Sequence, residues 1–172
     1  FYDQRENRAF LSFFFPGASV LDYFCHTGSF AVHAATYGAK DVLAVDISGD
    51  ALAVAKRNAE VNNVADCCRF EEANAFNLLR EYSDEGKQFD VVILDPPAFT
   101  KSRSTIESAA RGYKEINLRG LKLTKPGGVL VTCSCSYHMD AELFLAIVLD
   151  AARDVKRTVR QIEYRTQAKD HP

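Results

Sequence analysis

The regular alternation of short apolar runs with longer amphipathic segments constrains the fold of this chain more than any other feature. The run Phe89–Leu94 (FDVVIL) is almost continuously apolar and β-branched, which is typical of a strand buried on both faces of a sheet. The segments between such runs are short and have helical spacing, so each one is expected to be a helical crossover. The pattern therefore predicts an α/β fold, an open and mostly parallel sheet with helices on both faces.

The same pattern places the individual elements along the 172 residues, which we expect to form one domain. Strands are predicted over Ser19–Phe24, Asp41–Asp46, Cys68–Glu72, Phe89–Leu94, Val129–Cys133 and Thr158–Arg165. Helices are predicted over Asp3–Phe15, Ser29–Tyr37, Gly49–Asn62, Ala75–Tyr82 and Glu107–Leu123, followed by one that Asp140 caps and that runs through Ala152. Open sheets bind their ligands at the carboxyl ends of the strands, so the residues that follow each strand are the candidate site.

The turn after the first strand, within Val20–Phe30 (VLDYFCHTGSF), is typical of a backbone that approaches a nucleotide-like ligand. Gly28 provides the close approach that a Cβ would block, and Ser29 is predicted to be the N-cap of the following helix. One glycine is not a full dinucleotide fingerprint, and an ordinary turn between strand and helix explains the stretch equally well.

Asp46 closes the second strand 18 residues after Gly28, where a carboxylate can accept both hydrogen bonds of a ribose diol. The alternative is an acid that favours the N-terminus of the next helix. Because the glycines that bind a diphosphate are missing, the ribose interpretation favours S-adenosylmethionine over NAD. Asn74-Ala75, after the third strand, is an adenine contact or simply an N-cap.

Two further stretches lie at the ends of the fourth and fifth strands. Asp95-Pro96-Pro97-Ala98-Phe99 is a carboxylate followed by rigid backbone and an aromatic ring, an arrangement that can hold a planar base, although it could also only terminate the strand. In Cys133-Ser134-Cys135 we expect Cys133 to be in the core and Cys135 to be exposed. An exposed thiol can attack an electron-poor ring carbon, whereas buried cysteines are small hydrophobic residues.

The net charge and the cysteines limit which classes of function and which cellular compartment are expected. A formal net charge of -2 gives no overall basic field to hold a nucleic acid. The five cysteines include no CxxC pair, so we expect reduced thiols, a cytoplasmic location and no metal site. No run approaches the ~18 apolar residues of a membrane span. Abrupt ends at Phe1 and Pro172 lead us to expect an excised domain.

Taken together, the motifs resemble the class I S-adenosylmethionine-dependent methyltransferases that act on C5 of a cytosine in 23S ribosomal RNA. The resemblance is carried by Asp3–Arg8 (DQRENR), Leu21–Phe30 (LDYFCHTGSF), Val45–Ser48 (VDIS), Asp95–Phe99 (DPPAF), Gly112–Asn117 (GYKEIN), Thr132–Ser136 (TCSCS) and Gln167–Pro172 (QAKDHP). It implies a Rossmann-like fold, with S-adenosylmethionine as cofactor and ribosomal RNA as substrate. It also implies that residues 1–172 are the methyltransferase domain of a longer protein, with a PUA RNA-binding domain before it and a final antiparallel strand after it.

The resemblance also implies roles for individual residues. Cys135 would be the nucleophile that adds to C6 of the base, and Asp95 would hold the N3/N4 edge. Cofactor contacts are expected from Asp22, Phe24, Thr27, Gly28, Ser29, Asp46, Ile47, Asn74, Ala75 and Asp95, and substrate contacts from Pro96, Pro97, Phe99 and Lys101. The chain departs from relatives at His26, where many have Tyr, at Asn74, where Asp is usual, and at Ala98, where many other RNA cytosine-C5 methyltransferases have Cys.

Other functions remain open at this stage. Asp95-Pro96-Pro97 is also found in methyltransferases that act on amino groups and need no nucleophile. A non-catalytic module that binds cofactor or RNA is a further alternative, and a dehydrogenase is disfavoured by the single glycine. A sheet without its final strand would have an edge that could pair two copies into a homodimer.

Overall fold

Five strands lie side by side in one parallel sheet. The computed structural model describes residues 3–99, 105–136 and 138–169. Within them the strands are β1 (Ser19–Tyr23), β2 (Asp41–Asp46), β3 (Cys68–Glu72), β4 (Phe89–Leu94) and β5 (Thr124–Thr132). Their order is β3-β2-β1-β4-β5, and every neighbouring pair is parallel. The predicted fold class is therefore confirmed, and the strand order changes direction beside β1 and β4.

Helices cover both faces of the sheet. They are α1 (Arg5–Phe10), α2 (Ser29–Thr36), α3 (Gly49–Val61), α4 (Ala75–Asp84), α5 (Ile106–Leu123) and α6 (Ala141–Asp154). Alternate strand residues point to opposite faces. Val20, Val42 and Ile93 pack in one core with α2 and α3, whereas Leu21, Leu43 and Val92 pack in a second core with α4, α5 and α6.

Three local predictions need correction. The helix predicted over Asp3–Phe15 is shorter, because α1 ends at Phe10 and continues as a 3-10 turn over Leu11–Phe14. β5 begins at Thr124 rather than Val129, and its register with β4 shifts between Phe89 and Val91. The last predicted strand, Thr158–Arg165, does not form, since this segment has no paired strand neighbour and Ile162 and Tyr164 are exposed.

The C-terminal segment instead folds back on α1. The Ala168 N–H donates to the Asp3 carbonyl (2.8 Å), and Arg165 Nε donates to Asn7 Oδ1 (3.0 Å). The Arg165 guanidinium also lies 4.9 Å from the centre of the Phe10 ring. These contacts hold α1 over the carboxyl end of the sheet, where Arg8 of α1 and the two residues before the helix, Asp3 and Gln4, border the candidate site.

Within the described ranges, no helix is both long and apolar enough to cross a membrane. The same residues contain no group of three or more His, Cys, Asp or Glu side chains arranged to hold a metal ion.

Candidate functional site

A cavity of about 560 Å³ opens at the carboxyl ends of the central strands, where the strand order predicts a ligand site. Eleven of the residues predicted from the sequence line it: Phe24, Thr27, Ser29, Asp46, Ile47, Asn74, Asp95, Pro96, Pro97, Phe99 and Cys135. The structure thus brings five separate loops, one after each strand of the sheet, together around one space.

The loop after β1 has an unusual backbone. Phe24 (φ 64°), His26 (φ 50°) and Gly28 (φ 74°) all adopt left-handed conformations, which cost energy for the two residues that carry a side chain. The loop is fixed by hydrogen bonds from Cys25 N to the Val45 carbonyl (3.0 Å) and from Gly28 N to the Cys25 carbonyl (2.8 Å). Strained backbone that is held in this way is a common property of ligand-binding loops.

Gly28 itself does not line the cavity, and its role in the structure is packing. A Cβ at this position would lie 2.9 Å from the Cβ of Ala55 on α3, closer than atoms can pack. The glycine therefore lets α3 approach the loop. Asn58, one turn further along α3, donates to the Thr27 carbonyl (2.9 Å) and supports the loop from the same side.

Asp22 lies behind the cavity wall rather than in it. It is completely buried, and its Oδ2 accepts a hydrogen bond from the backbone N–H of Ala31 in the first turn of α2 (2.9 Å). The prediction that Ser29 is the N-cap is wrong, because Gly28 occupies that position and makes no side-chain cap. The Asp22 carboxyl group, on the preceding strand β1, replaces the local cap. Burial raises the pKa of Asp22 to about 8.

Asp46 connects the first two loops. One carboxylate oxygen accepts from His26 N (2.8 Å), and the other accepts from Ser48 N (3.0 Å), beside the start of α3. Ser48 caps that helix with its own hydroxyl, which accepts from Ala51 N. Asp46 is therefore not needed as a helix cap, and its carboxylate stays at the cavity rim with lone pairs available for a ligand.

An aromatic and apolar slot lies beside the end of β3. Asn74 caps α4, because its Oδ1 accepts from Phe76 N (3.1 Å) and Asn77 N (3.4 Å). The structure thus supports the capping interpretation of Asn74, which also lines the cavity. The ring centres of Phe76 and Phe99 are 6.0 Å apart, and Ile47 faces the same space. Flat apolar surfaces of this kind bind planar rings.

The carboxyl group of Asp95 stands at the switch in strand order. Gln4 Nε2 donates weakly to its Oδ1 (3.5 Å). Burial and the nearby charge of Asp3 raise the pKa of Asp95 to about 6. A carboxyl group with a pKa near neutrality can both accept and donate a proton.

Cys135 is exposed, as the sequence predicts, whereas Cys133, which we expected in the core, is only partly buried. The Cys135 thiol donates to the Pro96 carbonyl (3.4 Å). Partial burial and the negative charge of Asp95 raise the pKa of Cys135. The thiol is therefore protonated at neutral pH, and a reaction that uses it as a nucleophile must first remove its proton.

Two residues of the predicted site are not covered by the structure. Lys101 and the side chain of Ala75 are outside the part of the chain that the structure describes. Sequence reasoning also missed several cavity residues: Asp3, Gln4, Arg8, Cys25, His26, Phe30 and Phe76. The first three belong to the DQRENR motif, whose periodicity indicates only a helix.

The cavity wall carries a net negative charge. Asp3, Asp46 and Asp95 contribute carboxyl groups and Arg8 contributes a guanidinium. A cavity lined in this way attracts a cationic ligand and repels a polyphosphate.

Comparisons with known proteins agree with this geometry. The sequence profile of a family described as a methyltransferase domain matches residues 14–171. "Ribosomal RNA large subunit methyltransferase I" of Shewanella frigidimarina is 49% identical over the whole chain, which spans 44% of that relative's length.

Solved structures show the same fold at low sequence identity. An S-adenosylmethionine-dependent methyltransferase of Agrobacterium tumefaciens has a TM-score of 0.76 at 20% identity and covers 90% of this chain and 51% of its own. A protein assigned as a methyltransferase and solved in complex with SAH has a TM-score of 0.78 at 24% identity, covering 88% of this chain and 40% of its own.

Proposed function

The chain belongs to the methyltransferase domain family, and from that premise we propose that it transfers a methyl group from S-adenosylmethionine to C5 of a cytosine in large-subunit ribosomal RNA. The observation that carries the proposal is that a cysteine thiol and a carboxyl group of raised pKa, Cys135 and Asp95, line one cavity with the candidate ribose carboxylate Asp46. The names of the relatives, of whose length this chain spans about half or less, support the choice of substrate.

The cavity fits the cofactor in size and charge. About 560 Å³ is within the range of sites that enclose a nucleoside-sized ligand. Its net negative wall suits a sulfonium cation, and the loop after β1 offers strained, closely packed backbone and no diphosphate-binding glycines. S-Adenosylmethionine, when bound here, supplies an electrophilic methyl group.

We assign the cofactor contacts residue by residue. Asp46 accepts hydrogen bonds from the ribose hydroxyls, and Ile47 with Phe76 covers the adenine beside Asn74. The loop residues Phe24, Thr27 and Ser29 border the methionine half, together with the Arg8 guanidinium, which suits its carboxylate. Asp22 and Gly28 act behind this wall, by holding α2 and α3 against the loop.

The loop after β4 is assigned to the target base. Pro96 and Pro97 fix the backbone, and the Phe99 ring offers a face on which an unstacked cytosine can lie. Asp95 then faces the N3/N4 edge of the base. A carboxyl group with a pKa near 6 can share its proton with N3, whose own basicity is modest.

In the proposed reaction, one proton is transferred before any bond to carbon forms. The Cys135 thiol gives its proton to the Asp95 carboxylate, which passes it to N3 of the cytosine. The N3-protonated cytosine then pairs with the Asp95 carboxylate and offsets its negative charge, which is one of the causes that raise the pKa of Cys135, so thiolate formation and base binding support each other. The thiolate forms a bond to C6, and the C5=C6 electron pair becomes available at C5.

After C5 has gained the methyl group, its proton leaves to a base that we do not assign. The S–C6 bond then breaks, the C5=C6 double bond re-forms and N3 gives up its proton. Ala98 cannot assist this step as a thiol would, since its side chain has no acid–base group.

The ribosomal RNA must be held largely by surfaces outside these 172 residues. Neither the formal net charge of -2 nor the acidic cavity supplies the basic field that phosphates require. We propose that these residues are the methyltransferase domain of a protein that also contains a PUA RNA-binding domain and that works in the cytoplasm, where ribosomal RNA is available.

A second candidate, methylation of an exocyclic amino group, is favoured by one observation. The raised pKa of Cys135 leaves its thiol protonated, and transfer to an amine needs only Asp95-Pro96-Pro97 to hold the acceptor. The two reactions give different products, because only the thiol route places the methyl group on carbon.

The test uses ribosomal RNA from cells that lack the full-length gene, incubated with S-adenosylmethionine and the full-length protein. Mass spectrometry of the digested nucleosides should find 5-methylcytidine with the wild type and with Cys67→Ala, a control thiol at the opposite end of β3. Cys135→Ala should reduce the product to background. N4-methylcytidine as the product, made at the wild-type rate by Cys135→Ala, would establish the amino-group reaction instead.

A further inference from the structure

The segment that carries Cys135 has no regular secondary structure, yet both of its flanking serines are anchored. β5 ends at Thr132, and the Ser134 hydroxyl donates to the phenol oxygen of Tyr113 on α5 (3.1 Å). The same phenol lies 2.9 Å from the hydroxyl of Ser136. Tyr113 is completely buried and Ser136 is 4% exposed, so the contact between these two hydroxyls is shielded from water.

The ring of Tyr113 contacts the loop after β4, which carries Phe99. Its centre lies 4.6 Å from that of Phe99, which lines the cavity. The close approach of Phe99 to α5 depends on the neighbouring Gly112, where an added Cβ would lie 3.2 Å from the Phe99 ring. Phe144 of α6 packs edge-on against the other side of Tyr113 at 5.3 Å.

We infer that Tyr113 is a positioning residue that sets the Cys135 thiol and the Phe99 ring relative to each other. Its hydroxyl fixes the loop after β5 through two serines, and its ring fixes the loop after β4. The Cys135 thiol also donates to the Pro96 carbonyl in the loop after β4. The loops after β4 and β5 and the tyrosine therefore form a closed set of contacts. The catalytic interpretation of this set depends on the proposed function of Cys135.

A buried tyrosine that only fills the core would need one hydrogen-bond partner for its hydroxyl. Tyr82 is such a case, since its hydroxyl donates to Glu71 (2.8 Å) far from the cavity. Tyr113 differs because both of its hydroxyl partners flank the same exposed cysteine. Tyr82→Phe is therefore a matched control for the loss of one buried phenol oxygen.

Tyr113→Phe keeps the ring contact with Phe99 and removes only the anchor of the serines. Misplacing a reacting group by about 1 Å can lower a rate by about 100-fold, so we expect kcat for RNA methylation to fall by about 10- to 100-fold. The dissociation constant for S-adenosylmethionine, measured by calorimetry, should not change, because Tyr113 does not line the cavity.

A second readout does not depend on methyl transfer. Alkylation of Cys135 by iodoacetamide, followed by peptide mass spectrometry, should become about threefold faster in Tyr113→Phe, because a released thiol leaves the environment that raises its pKa. Cys25 and Cys68 are buried and should stay unreactive, which distinguishes local release from unfolding. Tyr82→Phe should match the wild type in both readouts.

Ser136→Ala tests the same contact from the other side. It should reproduce both effects, and the double variant with Tyr113→Phe should be no worse than either single variant. Wild-type methylation and alkylation rates in both single variants would overturn the positioning role. If Cys135→Ala retains full methylation, the covalent reaction fails, but the alkylation rates still decide whether Tyr113 holds the loop.

Discussion

Replacing Gly28 by alanine adds one methyl group at a point where the structure leaves no room for it. The backbone φ of +74° costs a residue with a side chain about 1–2 kcal/mol. The new Cβ would also lie 2.9 Å from Ala55 Cβ and 3.4 Å from Ala55 Cα, and overpacking of this kind costs about 1–3 kcal/mol. We therefore expect Gly28→Ala to lower the free energy of unfolding by about 2–5 kcal/mol.

Gly17 provides the control that separates these two causes. Its φ is +72°, almost the same as that of Gly28, but nothing lies within 4 Å of an added Cβ. Gly17→Ala should therefore cost only the backbone term, about 1–2 kcal/mol. The difference between the two variants measures the packing of α3 against the cavity loop.

Urea titration followed by circular dichroism measures these free energies, and equal slopes of the unfolding curves would show that the unfolded states are comparable. Removing the opposing methyl group with Ala55→Gly should recover about 1–3 kcal/mol in the double variant, relative to the sum of the single changes. Affinity for S-adenosylmethionine should fall in Gly28→Ala and recover in the same double variant. If Gly28→Ala costs no more than Gly17→Ala, close packing does not explain the glycine.

The remaining predictions concern three aspartates of the site. Asp46→Asn should weaken S-adenosylmethionine binding by about 10- to 100-fold, since a hydrogen bond to a charged group is worth about 1.5–3 kcal/mol. Asp41→Asn, at the far end of β2 in an exposed pair with Arg69, should leave the calorimetric affinity unchanged, and equal losses in both variants would exclude the ribose contact. Folding raises the pKa of Asp22 from 3.8 to about 8, so the free energy of unfolding should decrease as pH rises from about 4 to 8. In Asp22→Asn, denaturant titrations between pH 6 and 8 should no longer show this decrease. An unchanged dependence of the unfolding free energy on pH would contradict a buried acid at this position. Because the pKa of Asp95 is about 6, kcat/KM of the wild type should fall as pH drops below about 6, and Asp95→Asn should not show this fall. If the fall persists in the variant, it is caused by another group.

The strands were predictable because their signal is local. β2, β3 and β4 have the predicted bounds, although β3 (CRFEE) is a partly exposed edge strand and not an apolar run, and β1 ends one residue earlier than predicted. A strand buried on both faces needs apolar side chains at every position, and this demand is visible in the sequence without knowledge of the neighbours. The segment 158–165 alternates apolar and polar residues as a strand would, but it has no neighbouring strand to pair with. A local pattern cannot reveal whether such a neighbour is present.

The capping of α2 shows the limit of local reasoning more sharply. Ser29 has the right chemistry at the right place, yet the helix takes its side-chain acceptor from Asp22, on the strand that precedes the loop. The choice depends on the left-handed backbone at Gly28 and on the depth at which β1 is buried. Neither quantity is encoded in the few residues around the turn.

The sequence by itself determined the order of strands and helices along the chain and placed Asp46, Asp95 and Cys135 directly after strands. Because the strands of the sheet are parallel, their carboxyl ends lie at one edge, which brings these residues to the same side. Only the tertiary structure decided what surrounds them. It brought Gln4, the residue before α1, to Asp95, and Tyr113 of α5 to the serines around Cys135. These contacts span 91 residues in the first case and 21 to 23 in the second. Such contacts form between surfaces that the whole core has already placed, so no local pattern can specify them.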